Sequence, residues 1–120
     1  MLVFKGQIFL IDFQNSLQAA SYYDLASFMF DSYLNCKSHH SAILSFLASK
    51  GENLDMDQLN LTALQRNIKA LGSFGFQIFY CKNLRYKSYV AKTLKDILDN
   101  PQVGILSKSF IRSLQNLNLK

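Results

Sequence analysis

Cysteine, acidic residues and long apolar runs are all scarce in this chain, and each shortage removes a class of protein. The two cysteines, Cys36 and Cys81, stand far apart with no repeated spacing. That excludes a disulfide framework or a cysteine zinc site and makes a reducing cytosol the expected setting. The opening Met-Leu-Val-Phe-Lys-Gly lacks the basic start, apolar segment and small-residue cleavage site of a secretory signal. No apolar run approaches the roughly 20 residues that span a bilayer. The richest, Ile8 to Ile11, is closed by Gln7 and Asp12, so a soluble, cytoplasmic protein with no membrane partner is expected. Thirteen cations against eight acids give a net charge of +5. Such a balance attracts phosphorylated partners without requiring nucleic acid, which is therefore not expected as a ligand.

What is present suits one modest core. Of 120 residues, 49% are apolar and 18% charged, which is the globular range for a single domain over residues 1–120. Leu2 to Phe4 and Ile8 to Ile11 are β-favouring runs separated by Lys5, Gly6 and Gln7, the spacing of a tight hairpin. Ser21 followed by Asp24 fits a capping box, so a helix should begin near Tyr22, with Leu25, Phe28, Met29 and Tyr33 (or Ser32) on its apolar face. After a connection at Asn35 to Ser38, Ile43 to Ala48 form a shorter helix stopped by Lys50-Gly51.

The longest helical pattern follows, with Leu64, Ile68, Leu71, Gly75 and Ile78 on one stripe. Gly72 and Gly75 each weaken a helix by about 1 kcal/mol relative to alanine, so another element is expected to approach closely there. Tyr86, Tyr89, Val90, Leu94, Ile97 and Leu98 define a further amphipathic helix, which must stop before Pro101 because the ring disfavours helix at Asn100. Ile105, Leu106, Phe110, Ile111 and Leu114 mark the last one, and Asn116 to Lys120 should fray. The expected fold is mainly α: a short N-terminal β-hairpin followed by about five helices.

Two blocks carry chemistry. Ile11-Asp12-Phe13-Gln14 is followed by Tyr23-Asp24-Leu25-Ala26-Ser27, and Leu64-Gln65-Arg66-Asn67-Ile68-Lys69-Ala70-Leu71-Gly72-Ser73-Phe74 is trailed by Arg85-Tyr86. The first resembles the metal-binding segment of the aminoglycoside phosphotransferase and choline kinase superfamily. The second resembles a helix of the bacterial kinases that phosphorylate N-acetylmuramate and N-acetylglucosamine at the anomeric position. The resemblance implies the C-terminal lobe of a protein-kinase-like fold, with Asp12 as the carboxylate that holds Mg2+ against the phosphates of ATP. A strand end that fixes a hard anionic oxygen suits that task. Gln14, just beyond, is a candidate contact to a small-molecule sugar acceptor. Arg66 and Lys69, three apart on one helix face, are further candidates for substrate binding, while Ser21 and Asp24 support the helix start.

The chain also departs from the pattern. Asn15 stands where the relatives usually carry an acid, and Ala19-Ala20 where they carry Gly-Pro. Nowhere in the 120 residues is there a glycine-rich phosphate loop, a nucleotide-binding strand lysine or a His-x-Asp catalytic loop. The expectation is a truncated kinase lobe, inactive alone, with no catalytic residue of its own. An upstream kinase polypeptide, or self-association, would cover an apolar face around Leu2, Phe4 and Ile8. His39 and His40 match no complete ligand set and are expected as surface polar residues. The alternative reading is a small basic helical module that binds nucleic acid or a partner protein. There Lys82, Arg85, Lys87, Lys92 and Lys95 would supply charge, and Tyr86 and Tyr89 stacking surface.

Overall fold

A computed structural model describes residues 2–9, 22–33 and 36–117. Five helices dominate it: α1 (Tyr23–Met29), α2 (His40–Ser49), α3 (Met56–Gly75), α4 (Lys87–Leu98) and α5 (Lys108–Gln115). At the N-terminal end β1 (Leu2–Phe4) pairs antiparallel with β2 (Gln7–Phe9), placing Leu2 opposite Phe9 and Phe4 opposite Gln7. Lys5 and Gly6 both take positive φ, 49° and 74°, as a two-residue turn between right-twisted strands requires. Asp12, Gln14 and Ser21 lie outside the described residues, as do the side chains of Leu2, Phe4 and Ile8.

The twenty-residue α3 is the organising helix. Asp55 caps it, its carboxylate accepting hydrogen bonds from the backbone N–H groups of Asp57 and Gln58, two of the donors that a helix start leaves unpaired. The helix runs through Gly72 and Ser73 without a break. It continues as a wider, π-type turn over Phe76–Tyr80 and ends where Lys82 adopts positive φ. One stretch of α3 packs Leu59 and Ala63 against Ala26 and Met29 of α1. The next packs Leu64 against Ile97 and Leu114, and Phe74 and Ile78 close on Val90. Asn100 Nδ2 donates to the Asn60 carbonyl at 3.0 Å, while Phe74 meets Tyr86 with ring centroids 5.5 Å apart. Helices α3 and α4 therefore run antiparallel. Asn67, also buried on α3, has no hydrogen-bond partner for either amide atom among the described residues.

Helix α1 is shorter than its apolar spacing predicts. The N-cap position falls on Tyr22, whose side chain makes no capping bond, and Asp24 lies exposed in the first turn. The helix stops at Met29, leaving Phe28 half exposed and Tyr33 outside the helix. The cause is tertiary. Carbonyls that a longer helix would use internally accept instead from distant side chains: Met29 O from His40 Nε2 at 2.8 Å, Phe30 O from Arg66 at 3.3 Å, and Asp31 O from Lys92 Nζ. Two of these donors are cations set at the negative end of a helix. His40 is thereby half-buried and also meets the Phe30 ring edge-on, which departs from the expected surface position.

The end of α2 follows its sequence signal. Gly51, at φ 81°, donates to Ala48 O, and Glu52 donates to Leu47 O, the paired bonds of a Schellman stop. Phe46 does not join the core face. It is exposed beneath the Lys50 ammonium, 5.6 Å from the ring centre. Helix α5 starts later than the pattern implied, because the Ser107 hydroxyl accepts from the Phe110 N–H and fixes the start there. Ile105 consequently falls in the preceding turn, Val103–Ile105, and is exposed.

Candidate functional site

Residues of one α3 face, Arg66, Lys69, Ala70, Ser73 and Phe74, fall at spacings of three, one, three and one, the intervals that keep side chains on one side of a helix. Together with Tyr23 of α1 and the Ser32-Tyr33 segment they line a cleft of about 230 Å3. Its aromatic wall is continuous. Tyr33 meets Phe74 and Tyr89 edge-on at 5.9 and 4.7 Å, and Phe74 carries Tyr86 and Tyr89 behind it.

Both predicted basic residues reach this cleft, but in different states. Arg66 is mostly buried and its guanidinium is already engaged: Nε donates to Ser27 Oγ at 2.8 Å, Nη1 to the Phe30 carbonyl, and Nη2 lies 3.7 Å from an Asp31 carboxylate oxygen. Its fork is spent on closing α1 against α3, so its role here is to shape the wall. Lys69 is exposed, with its ammonium 6.0 Å from the Tyr23 ring centre, and of the cations that line the cleft among the described residues it is the one open to a molecule there. Ser73 Oγ donates to the Lys69 carbonyl at 3.1 Å, holding the hydroxyl along the helix.

The floor of the cleft rests on a polar network the sequence did not reveal. Thr93 and Ser32, both buried, share a hydrogen bond of 2.9 Å. Asp96, whose side chain is 5% exposed, lies 2.7 Å from Lys37 Nζ and 3.4 Å from Lys92 Nζ. Only the i,i+4 relation of Lys92 and Asp96 was visible in the sequence; the Lys37 partner comes from a distant loop. Tyr33 ionises less readily than an ordinary tyrosine. Desolvation is the main cause, reinforced by the Tyr86 phenol, the Asp31 carboxylate and Tyr89, and opposed by Arg66.

Tyr86 and Tyr89 are half-buried against Phe74, and Lys92 is tied to Asp96 and Asp31. These groups build the core rather than a free stacking platform. Among the described residues no element makes the close approach expected at Gly72 and Gly75: a Cβ at either position would meet none of their atoms within 4 Å. Among the described residues no group of three or more His, Cys, Asp or Glu side chains could hold a metal ion. None of their helices is long and apolar enough to cross a membrane. Comparison with protein-family models, curated proteins and solved structures finds no match.

Proposed function

We propose that this chain is the C-terminal, mostly helical part of an ATP-dependent small-molecule phosphotransferase, contributing a magnesium carboxylate, Asp12, and one side of the acceptor pocket. The observation that carries the reading is the meeting of the two sequence blocks. Ser27, from the first, accepts the Arg66 hydrogen bond from the second across 39 positions of chain, and Tyr23 stands beside Lys69 at the cleft. Two motifs of one active-site lobe are expected to share a wall in this way.

The cleft suits a sugar acceptor. Aromatic rings cover the apolar faces of a pyranose, and one exposed ammonium can donate to its hydroxyl or acyl oxygens. In this reading the described residues of the cleft are assigned binding and shape, through the Tyr23, Tyr33 and Phe74 rings, the Ser73 hydroxyl and the Lys69 ammonium. ATP and Mg2+ belong to a complete enzyme, in which the metal would supply charge stabilisation to the transferring phosphoryl group. Asp12 is the residue of this chain assigned to hold it, on the sequence resemblance alone.

The test is phosphotransfer from ATP to N-acetylmuramate and N-acetylglucosamine, by this chain alone and joined to a polypeptide that supplies the nucleotide lobe and catalytic loop. The chain alone should be inactive and the joined protein active, with Asp12→Asn abolishing turnover and Lys69→Ala raising KM. Full activity of Asp12→Asn in the joined protein would remove the metal assignment, and no activity of the joined protein on any amino sugar would remove the acceptor class.

A further inference from the structure

Charge in the cleft is unbalanced. Among the described residues, Arg66 and Lys69 line it and no acid does. Arg66 is neutralised where it stands: the Asp31 carboxylate lies 3.7 Å from Nη2, and Ser27 and the Phe30 carbonyl take two more of its N–H groups. Lys69 makes no ion pair with a described residue. Its ammonium stands 6.0 Å from the centre of the Tyr23 ring, and a ring face attracts a cation without cancelling its charge. Asp24 follows Tyr23 on α1 but does not line the cleft, since one residue turns the side chain by about 100° around a helix. One uncompensated positive charge is left.

The walls decide what that charge can recognise. Tyr33, the wall group that could itself turn negative, holds its proton more tightly than an ordinary tyrosine, through desolvation first and then Tyr86, Asp31 and Tyr89. It stays a neutral donor. Ser73 Oγ donates to the Lys69 carbonyl, so its lone pairs remain to accept from a ligand hydroxyl. Phosphate is best held by helix N-termini or a free arginine fork. Neither is offered, because residues 66–74 lie inside α3, which starts at Met56, and the Arg66 fork is engaged. A single ammonium instead matches a monoanion. The volume, about 230 Å3, lies below the roughly 300–1,000 Å3 of pockets for drug-sized ligands and suits one sugar ring.

We propose, building on the acceptor-pocket reading, that the cleft selects monosaccharides that carry a carboxylate, with Lys69 as the residue that determines the preference. The ammonium pairs with the carboxylate, the Tyr33 and Phe74 rings cover an apolar face of the pyranose, and Ser73 Oγ accepts from a hydroxyl. A neutral sugar can use the same walls but forgoes the ion pair, so the difference between acid and neutral acceptors rests on one side chain.

The test reads binding to the full chain without ATP, by NMR titration, and so stands apart from turnover. The probes are methyl glucuronoside, its uncharged amide, glucose 6-phosphate and acetate. The glucuronoside should bind at least about fivefold more tightly than the amide, the upper range for an exposed ion pair, and the margin should shrink as salt rises. Lys69→Met should abolish the margin and Lys69→Arg should keep it, with the helical circular-dichroism signal of both unchanged. Equal affinity for acid and amide, or a margin that survives Lys69→Met, would overturn the proposal. So would tighter binding of glucose 6-phosphate, which assigns the cleft to phosphate, or acetate binding as tightly as the glucuronoside, which leaves the sugar without a role. Turnover separates this inference from the reading beneath it. A joined protein that phosphorylates N-acetylmuramate, an acid, no better than neutral N-acetylglucosamine would keep the kinase and remove the selectivity. A carboxylate margin in binding with no turnover of any sugar would uphold the selectivity and remove the kinase.

Discussion

Arg66 provides the sharpest test of how this fold is closed. Replacing it by methionine keeps most of the aliphatic stem, and with it the packing along α3, while removing the guanidinium. Three partners then lose their donor: Ser27 Oγ at 2.8 Å, the Phe30 carbonyl at 3.3 Å and the Asp31 carboxylate at 3.7 Å. A short charge-assisted hydrogen bond contributes about 1.5–3 kcal/mol net, whereas a pair at the last distance contributes under about 1 kcal/mol. The second bond is long and weak, so the expected loss is about 2–3 kcal/mol. For a domain of this size that lowers the melting temperature by about 10 °C. Urea denaturation followed by far-ultraviolet circular dichroism measures it. A double-mutant cycle with Ser27→Ala should return a coupling of about 0.5–3 kcal/mol, because one hydrogen bond is lost in either single variant. Arg66→Lys should recover little, since an ammonium cannot span all three acceptors. A loss below about 0.5 kcal/mol for Arg66→Met, the range of an ordinary surface change, would refute the clasp and return Arg66 to the pool of residues free to meet a ligand.

Four further outcomes follow from the packing. Lys37→Met should cost less than about 1 kcal/mol because Lys92 still neutralises Asp96, but Lys37→Met with Lys92→Met should approach about 3–5 kcal/mol, the cost of an unpaired buried charge; additive urea midpoints would contradict this. Gly72→Ala should raise stability by about 0.5–1 kcal/mol, since its Cβ enters open space; a lower melting temperature would show a close neighbour at that site. Leu64→Ala should cost about 2–5 kcal/mol, while Asn67→Ala should be near neutral, because an unpaired buried amide forfeits about 1–3 kcal/mol where it stands; equal losses would mean that the amide has a partner, such as a buried water. Tyr33 holds its proton more tightly when folded, so its contribution is present below the ordinary tyrosine value of about 10 and is lost as pH rises through the folded value. Tyr33→Phe should therefore flatten the fall in stability above that pH, and an unchanged alkaline profile would discount the shift.

What the sequence revealed and what it hid divide along the line between local and tertiary causes. The Lys50-Gly51 stop, the end of α4 before Pro101 and the α3 stripe through Leu64, Ile68 and Leu71 were legible because each rests on backbone preference or on 3.6-residue periodicity within one segment. The early end of α1 was not legible, because His40, Arg66 and Lys92 impose it from 11 to 61 positions away. The site was half legible for the same reason. Spacing placed Arg66 and Lys69 on one face, correctly, but only the fold shows that Ser27 and Phe30 have already consumed the arginine. Gly72 and Gly75 misled in the opposite direction: a glycine inside a helix signals that space matters, without saying whether that space is filled or left open.

Helix α3 therefore borders two concavities, and their chemistry differs in kind. Arg66, Lys69, Ser73 and Phe74 look onto a cleft with polar atoms and a free cation, whereas Ile68, Leu71, Gly72 and Gly75 floor a groove with almost none. A polyhydroxylated small molecule cannot satisfy its hydrogen bonds in the second. Between them α4 holds the helix still, through Ile97 at one end and Val90 with Tyr86 and Tyr89 at the other. A shift of α3 against α1 would have to pass through the joint that Arg66 closes onto Ser27 and Phe30.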